Sequence, residues 1–495
     1  MTTDETRSYG QRLSEHARLT PRKTALSYYD RTGHVCRLTW AELDAQVNRA
    51  ARALLSVGAT QGDVIGFALK NSPLHIILTL AIWRIGATTF NFDPALPQAT
   101  AMALLSRSAA RLCISETDTG ITRPRFEAMM ADAGDAPVEN RISHPGKILS
   151  SGGSTGLPKL MADDQPYLRR PGASWGRVAP ALGFFPGQTQ LMAASLSHNA
   201  GLTWAQNGLF EGQHLVLFEK FNAPMVLQAI ATEQVHFILC VTTMVVRLLD
   251  AYRAAPSDLS SLVSFYHTAG PCPAWLKQEW IEILGAERVF EMYGSGENTG
   301  QTVISGPEWL THRGSVGRGF ETDILICDAA LQSLPPGTAG EVFMLPDDIN
   351  GRSAYIGAEA PAPRKLPSGH QSVGDTGWLD ADGYLYLTGR LDDVINCGGL
   401  KIHPETIEAA ALRLPGVLDA VSYGLPDRDW GEIPVAELVL RRDTDLEVLR
   451  HALLNVLGPQ GVPRRLIARD SLPRDDFGKI RRKAIRAAAI EALVA

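Results

Sequence analysis

The run Ser150-Ser151-Gly152-Gly153-Ser154-Thr155-Gly156-Leu157-Pro158-Lys159 places three glycines and four hydroxyls in ten residues. It has almost no apolar surface with which to pack a core. Its backbone can approach a ligand closely, successive amide N–H groups of such a turn form a concave anion site, and the hydroxyls add donors. Lys159 adds a positive charge, and triphosphate fits that set. A Gly/Ser linker shares the composition, but linkers sit amid polar, low-complexity sequence, whereas this run follows Ile148-Leu149, a candidate strand end. No Gly-Lys-Ser/Thr closes the run, so it is not a Walker loop, and a nucleotide here implies a different fold.

Such a loop needs a scaffold. Thr39-Trp40-Ala41-Glu42 reads as a capping box, and Leu43, Val47, Ala51, Leu54 and Leu55 follow at helical spacing until Gly58. Residues 63–69, 111–114, 214–218 and 235–239 read as strands, and 74–83 as an apolar helix. Strands alternating with helices predict parallel sheets in an α/β fold. Residues 116–147 read as a surface excursion. After about residue 340 the texture changes. Asp382-Gly383 predicts a turn ahead of Tyr384-Leu385-Tyr386-Leu387. Pro404 opens a helix through Ile407, Ala410 and Leu414 that Pro415-Gly416 ends. The end of the chain reads as a small α+β domain.

A chain of 495 residues has room for two or more domains. Its net charge of −6 argues against nucleic acid as a partner. Six cysteines without a Cys-x-x-Cys pair argue against a zinc ribbon and fit a reducing compartment. The polar N-terminus carries no signal-peptide core. The apolar run 74–90 is interrupted by His75, Arg84 and Gly86, which leaves it too polar to span a bilayer. The expectation is a soluble cytoplasmic enzyme with no membrane partner.

Four further motifs follow the glycine run: Tyr293-Gly294-Ser295-Gly296-Glu297, Gly374-Asp375-Thr376-Gly377-Trp378, Gly389-Arg390-Leu391-Asp392-Asp393, and Leu472-Pro473-Arg474-Asp475-Asp476-Phe477-Gly478-Lys479. In this order and spacing the chain resembles the adenylate-forming enzymes, the acyl-CoA synthetases, aryl-acid ligases and their relatives, over nearly its whole length. The run 269–277, AGPCPAWLK, is most similar to bacterial bile-acid-type and fatty-acyl-type CoA ligases. The resemblance implies a large, multi-subdomain N-terminal adenylation domain with parallel sheets over 1–389, a hinge at 390–392, and a small mobile α+β domain over 393–495. It also implies the reaction: a carboxylate attacks the α-phosphate of ATP, pyrophosphate leaves, and acyl-AMP forms. Two anions must meet, so such a site works by charge neutralisation and alignment.

By the same resemblance, Ser151, Gly152, Gly153, Ser154, Thr155, Gly156 and Lys159 hold the β- and γ-phosphates. Ala269, Gly270 and Pro271 line the adenine and acyl pockets, and Tyr293, Gly294, Ser295 and Gly296 complete the nucleotide contacts. Glu297 binds Mg²⁺, a hard cation that favours oxygen ligands. Asp375 accepts from the ribose hydroxyls, and Arg390 adds a ribose or phosphate contact. Lys479 reaches the carboxylate and the α-phosphate. Alone, with Arg481, Arg482 and Lys483 after it, Lys479 would read as part of a solvated basic tail; the Leu-Pro-x4-Gly-Lys frame favours catalysis. Asp392 matches the hinge. His198 matches a position that closes the acyl site against the acceptor tunnel, which Gly398, Gly399 and Trp430 flank.

Three departures qualify this correspondence. Gly296 stands where threonine is usual, which removes a hydroxyl from the α-phosphate. Gln460-Gly461-Val462-Pro463 lacks the aromatic and lysine common beside the CoA path, and Leu400 replaces a polar residue. The adenylation half looks intact and the CoA half eroded. The family resemblance still makes the thiol of CoA the expected acceptor, and the eroded CoA half makes an amine the alternative, in an amide bond synthetase that uses no CoA and takes His198 as its base. Phe184, Phe185, His198, Trp204, Gln206, Phe210, Tyr266 and His267 are candidates to line the acyl pocket, where a hydrophobic aryl or polycyclic acid is expected. The expected assembly is a monomer or homodimer.

Overall fold

Thr39 caps the helix Trp40–Ser56 reciprocally. Its hydroxyl accepts from the Glu42 amide at 3.3 Å, and the Glu42 carboxylate accepts from the Thr39 amide at 2.8 Å. Leu43, Val47, Ala51 and Leu54 are buried along one face, whereas Leu55 turns outward and is 42% exposed. The computed structural model describes residues 6–150, 158–162, 165–348, 353–356, 363–474 and 480–494. They fall into two compact units, residues 1–311 with 347–362 and residues 312–346 with 363–495.

Among the described residues, the first unit carries two large sheets besides the short pair Arg7–Ser8 and Leu168–Arg169. In one, the strands run in the order Gln301–Ser305, Val289–Gly294, Ser264–Thr268, Phe237–Val241, Thr189–Met192, His214–Phe218, Thr24–Tyr29 and Val35–Thr39. Its middle is parallel and its two outermost pairings are antiparallel. The other runs Ala354–Ile356, Leu160–Ala162, Lys147–Ser150, Thr88–Asn91, Val64–Ala68, Ala110–Ser115 and Ile121–Thr122, parallel from Lys147–Ser150 onward. The expected alternation is present, with the apolar helix at Pro73–Arg84 between two parallel strands. Residues 116–147 are more than an excursion: they contain the helix Arg123–Asp132, which buries Phe126 and Met130, four residues apart, and packs against Trp40–Ser56.

In the second unit, Gln371–Leu379 and Tyr384–Arg390 form the expected hairpin. Asp380 organises its turn by accepting from the amides of Asp382 at 3.0 Å and Tyr384 at 2.9 Å. The hairpin belongs to an antiparallel ladder with Gly317–Gly319, Thr322–Cys327 and Gly340–Pro346. A second sheet joins Leu400–Ile402, Ile395–Cys397, Gly431–Leu440, Val417–Asp427 and Arg465–Arg469. Helices Pro404–Ala411 and Leu446–Gly461 close over Ile395, Ile402 and Leu438. The helix Arg482–Val494 places Ile485 against Val421, Tyr423 and Val435. The expected boundary at 390–392 lies inside this unit, because the ladder binds 317–327 and 340–346 to 371–390. The hinge at Asp392 therefore remains a proposal. Among the described residues, no helix is long and apolar enough to cross a membrane.

Candidate active site

Strand Lys147–Ser150 buries Ile148 and Leu149 and ends where the glycine run begins. Ser150 pairs with Leu160, so the strands on either side of the run lie together. Ser151, Gly152, Gly153, Ser154, Thr155 and Gly156 lie outside the described residues. Lys159 is described, and its ammonium sits 5.0 Å from the ring centroid of Tyr355. The Tyr355 hydroxyl donates to Glu297 Oε1 at 2.7 Å, and the Ser353 amide donates to the Glu297 carbonyl at 3.0 Å. Glu297 is half-buried, and its second carboxylate oxygen takes no hydrogen bond among the described residues. An ionised oxygen with unused lone pairs suits a hard cation.

The next two motifs are tied together at adjacent strand ends. Thr268 donates to the Met292 carbonyl at 2.8 Å, and Thr242 to the Gly270 carbonyl at 3.1 Å. Ala269 between them has φ +74°, a left-handed value that costs a non-glycine residue energy. Tyr293 and Gly294 are still paired with Thr302 and Gln301. The chain then turns, with the Asn298 amide on the Ser295 carbonyl at 3.1 Å. Among the described residues, a Cβ placed on Gly296 would meet only Met161, whose sulfur lies 3.6 Å away, so their packing does not require glycine there.

Strand Val289–Gly294 is braced beneath by a buried ion pair between Lys277 and Glu291, with the Lys277 ammonium 5.2 Å from the Trp309 ring. His267 lies 3.8 Å from Glu291, and burial pushes its pKa down to about 4, which keeps the ring neutral.

His198 stands at the start of helix Asn199–Phe210. Two asparagines at the ends of parallel strands hold its loop. Asn71 donates to the Ala194 carbonyl at 2.9 Å and accepts from the Leu196 amide at 2.8 Å, and Asn91 donates to the Leu196 carbonyl at 2.6 Å. Most of the aromatic acyl-pocket candidates are core instead. Trp204 packs on Phe184 at 5.0 Å and on Tyr266 at 5.1 Å, all three at most 2% exposed. Phe210 packs on Tyr9 at 5.1 Å, Gln206 donates to the Tyr167 hydroxyl at 2.6 Å, and Phe185 is exposed.

In the second unit, Asp375 and Arg390 face each other across the hairpin and form an ion pair at 3.0 Å. Asp392 lies in the short turn Leu391–Asp393 and pairs with Lys483 at 3.3 Å. Arg482 does not belong to a solvated tail: its guanidinium contacts Asp393 at 2.6 Å, Glu405 at 2.8 Å and Glu408 at 2.9 Å. Backbone presses on this cluster, because a Cβ on Gly389 would fall 2.2 Å from a Glu405 carboxylate oxygen. Lys479 lies outside the described residues; Arg474 and Ile480 form an antiparallel bridge.

Gly398, Gly399 and Trp430 come together as expected. The Gly398 amide donates to the Trp430 carbonyl at 2.7 Å, a Cβ on Gly398 would meet the indole at 2.7 Å, and Arg464 lies 5.2 Å from the indole ring. Trp430 is 48% exposed and Leu400 40%, which leaves apolar surface beside the two glycines.

Residues 13–345 match the AMP-binding enzyme family and residues 406–479 its C-terminal domain. The chain therefore belongs to the AMP-binding enzymes, the adenylate-forming family that its motifs resemble. Similar proteins include the 2-succinylbenzoate–CoA ligase of Bacillus subtilis (strain 168), 26% identical over 487 residues and covering 96% of this chain and 97% of that one. The enzyme of the same name from Bacillus velezensis is 28% identical over 484 residues, covering 95% and 96%. Among solved structures, the o-succinylbenzoate CoA synthetase of Bacillus subtilis in complex with the acyl-adenylate intermediate OSB-AMP has a TM-score of 0.82 at 24% identity, covering 97% and 98%. Amide bond synthetase McbA from Marinactinospora thermotolerans has a TM-score of 0.79 at 24% identity, covering 97% and 99%. These two likenesses establish the fold.

Proposed function

We propose that this protein activates an aryl carboxylic acid with ATP and transfers the acyl group to the thiol of CoA. The observation that carries the reading is the family match over both parts of the chain, joined to near-full-length relatives named as CoA ligases. In the first step, a carboxylate oxygen bonds to the α-phosphorus as its bond to pyrophosphate breaks. Lys479 and Lys159 balance the negative charge that gathers there, and Asp375 with Arg390 holds the ribose. Mg²⁺, when bound, would neutralise phosphate charge, with Glu297 as its ligand. In the second step the CoA sulfur attacks the acyl carbon and AMP leaves, and the thiol proton goes to solvent. Gly398, Gly399 and Trp430 guide the pantetheine arm, and His198 closes the acyl site.

The relatives' name makes 2-succinylbenzoate the first acid to try. A cytoplasmic monomer or homodimer remains the working assumption. Transfer to an amine is the second reading, favoured by the missing aromatic and lysine at 460–463, where Val462 is buried in the small sheet's core. ATP–pyrophosphate exchange over a panel of aryl acids, followed by product analysis with CoA and with small amines, tests both. Acid-dependent exchange with thioester formation is expected. Exchange without any acid dependence overturns the proposal, and amide without thioester moves it to the second reading.

A further inference from the structure

We infer that Tyr355 is a positioning residue for the metal–nucleotide, orienting Glu297 through its hydroxyl and Lys159 through its ring. The inference rests on the reading of Glu297 as a Mg²⁺ ligand. Tyr355 is the middle residue of strand Ala354–Ile356, in register with Met161 of the strand that follows Lys159. Two contacts from this short strand and the residue before it grip Glu297: the Ser353 amide on its carbonyl at 3.0 Å and the Tyr355 hydroxyl on Oε1 at 2.7 Å. The same ring lies 5.0 Å from the Lys159 ammonium.

The chemistry of the bridge matters as much as its geometry. A phenol fixes a carboxylate rotamer without cancelling its charge, as an arginine or lysine would. Oε1 is held, the charge stays shared over both oxygens, and Oε2 keeps its lone pairs for a cation. An aromatic face likewise attracts an ammonium without neutralising it. One uncharged residue thus sets the direction of an anion meant for the metal and of a cation meant for phosphate. No local motif marks Tyr355, which lies far from both partners in sequence.

The test uses Y355F, Y355L, E297Q and the Y355F/E297Q double variant of the full chain. Mn²⁺ binding in the presence of α,β-methylene-ATP is read by electron paramagnetic resonance, alongside metal-free nucleotide affinity and thermal melting. Y355F should weaken Mn²⁺ binding about 10-fold, the scale of a lost hydrogen bond to a charged group. Its melting temperature and metal-free nucleotide affinity should match the wild type. Y355L should in addition weaken metal-free nucleotide about 3-fold through the lost ring contact. In the E297Q background, Y355F should add nothing.

Wild-type Mn²⁺ affinity in Y355F, with weakened binding in E297Q, overturns the inference and leaves the metal reading standing. An additive loss in the double variant also overturns it, because Tyr355 would then act elsewhere. Unchanged binding in E297Q removes the metal reading and the inference together.

Discussion

Replacing Arg482 with methionine should loosen the C-terminal part of the second unit, and more so at pH 8 than at pH 5. The guanidinium side chain is only 16% exposed and meets Asp393 at 2.6 Å, Glu405 at 2.8 Å, and both oxygens of Glu408 at 2.9 and 3.0 Å. Methionine keeps much of the stem but leaves three carboxylates facing one another. Removing one partner from a buried ion network costs about 3–5 kcal/mol, a rise in the opened population of roughly two to four powers of ten. Burial pushes the Glu408 carboxyl up, while Arg482 and the Ser422 amide pull it back. Without Arg482 its folded pKa should rise further above the unfolded value. A proton taken up by the folded state then relieves the repulsion, so the loss should be smallest at low pH and grow as pH rises through the raised value.

The assay is native-state hydrogen exchange, converted to opening free energies, for amides of Pro404–Ala411 and Arg482–Val494 at both pH values. The lysine variant, which keeps the charge but loses the fork, should fall between wild type and methionine. A loss below about 1 kcal/mol, or one equal at pH 5 and pH 8, would refute the reasoning.

Lys479→Ala should abolish acyl-AMP formation while ATP still binds; ATP–pyrophosphate exchange at the wild-type rate would remove Lys479 from the chemistry. Gly296→Thr should fit beside Met161 and raise the adenylation rate about 10-fold by restoring a hydroxyl near the α-phosphate, and a rate at or below wild type would count against that placement. Asp392→Pro should leave adenylation in place and slow transfer from preformed acyl-AMP in single turnover, since proline fixes φ where the proposed hinge must rotate. Equal loss of both steps would end the hinge argument.

What the sequence made legible was whatever its neighbours in the chain decide. Thr39 and Glu42, three residues apart, cap the helix Trp40–Ser56, and Asp380 and Gly383 turn a hairpin within one short span. Asp375 and Arg390 were named separately from motifs, and the hairpin register then brought them face to face. Tyr355, Asn71 and Asn91 escaped notice because their partners lie far away in sequence, and a single polar residue has no periodicity to betray it. Arg482 looked solvated because it stands in a basic run, and its three acids lie far back in the chain, one in the turn Leu391–Asp393 and two on helix Pro404–Ala411. The aromatics around Trp204 misled in the opposite sense: a greasy ring looks the same in sequence whether it lines a pocket or fills a core.

Gly389 gives heredity a grip on this fold. Any side chain there would collide with Glu405, whose carboxylate helps to hold Arg482. A lineage that acquired alanine at 389 would have to swing the Glu405 carboxylate aside, and so loosen one of the acids that anchor Arg482. Positions 389, 405 and 482 are then coupled in inheritance: a change at one is felt at the others, although long stretches of chain separate them. A gene assembled by recombination between relatives should fail most often when its crossover divides these three residues.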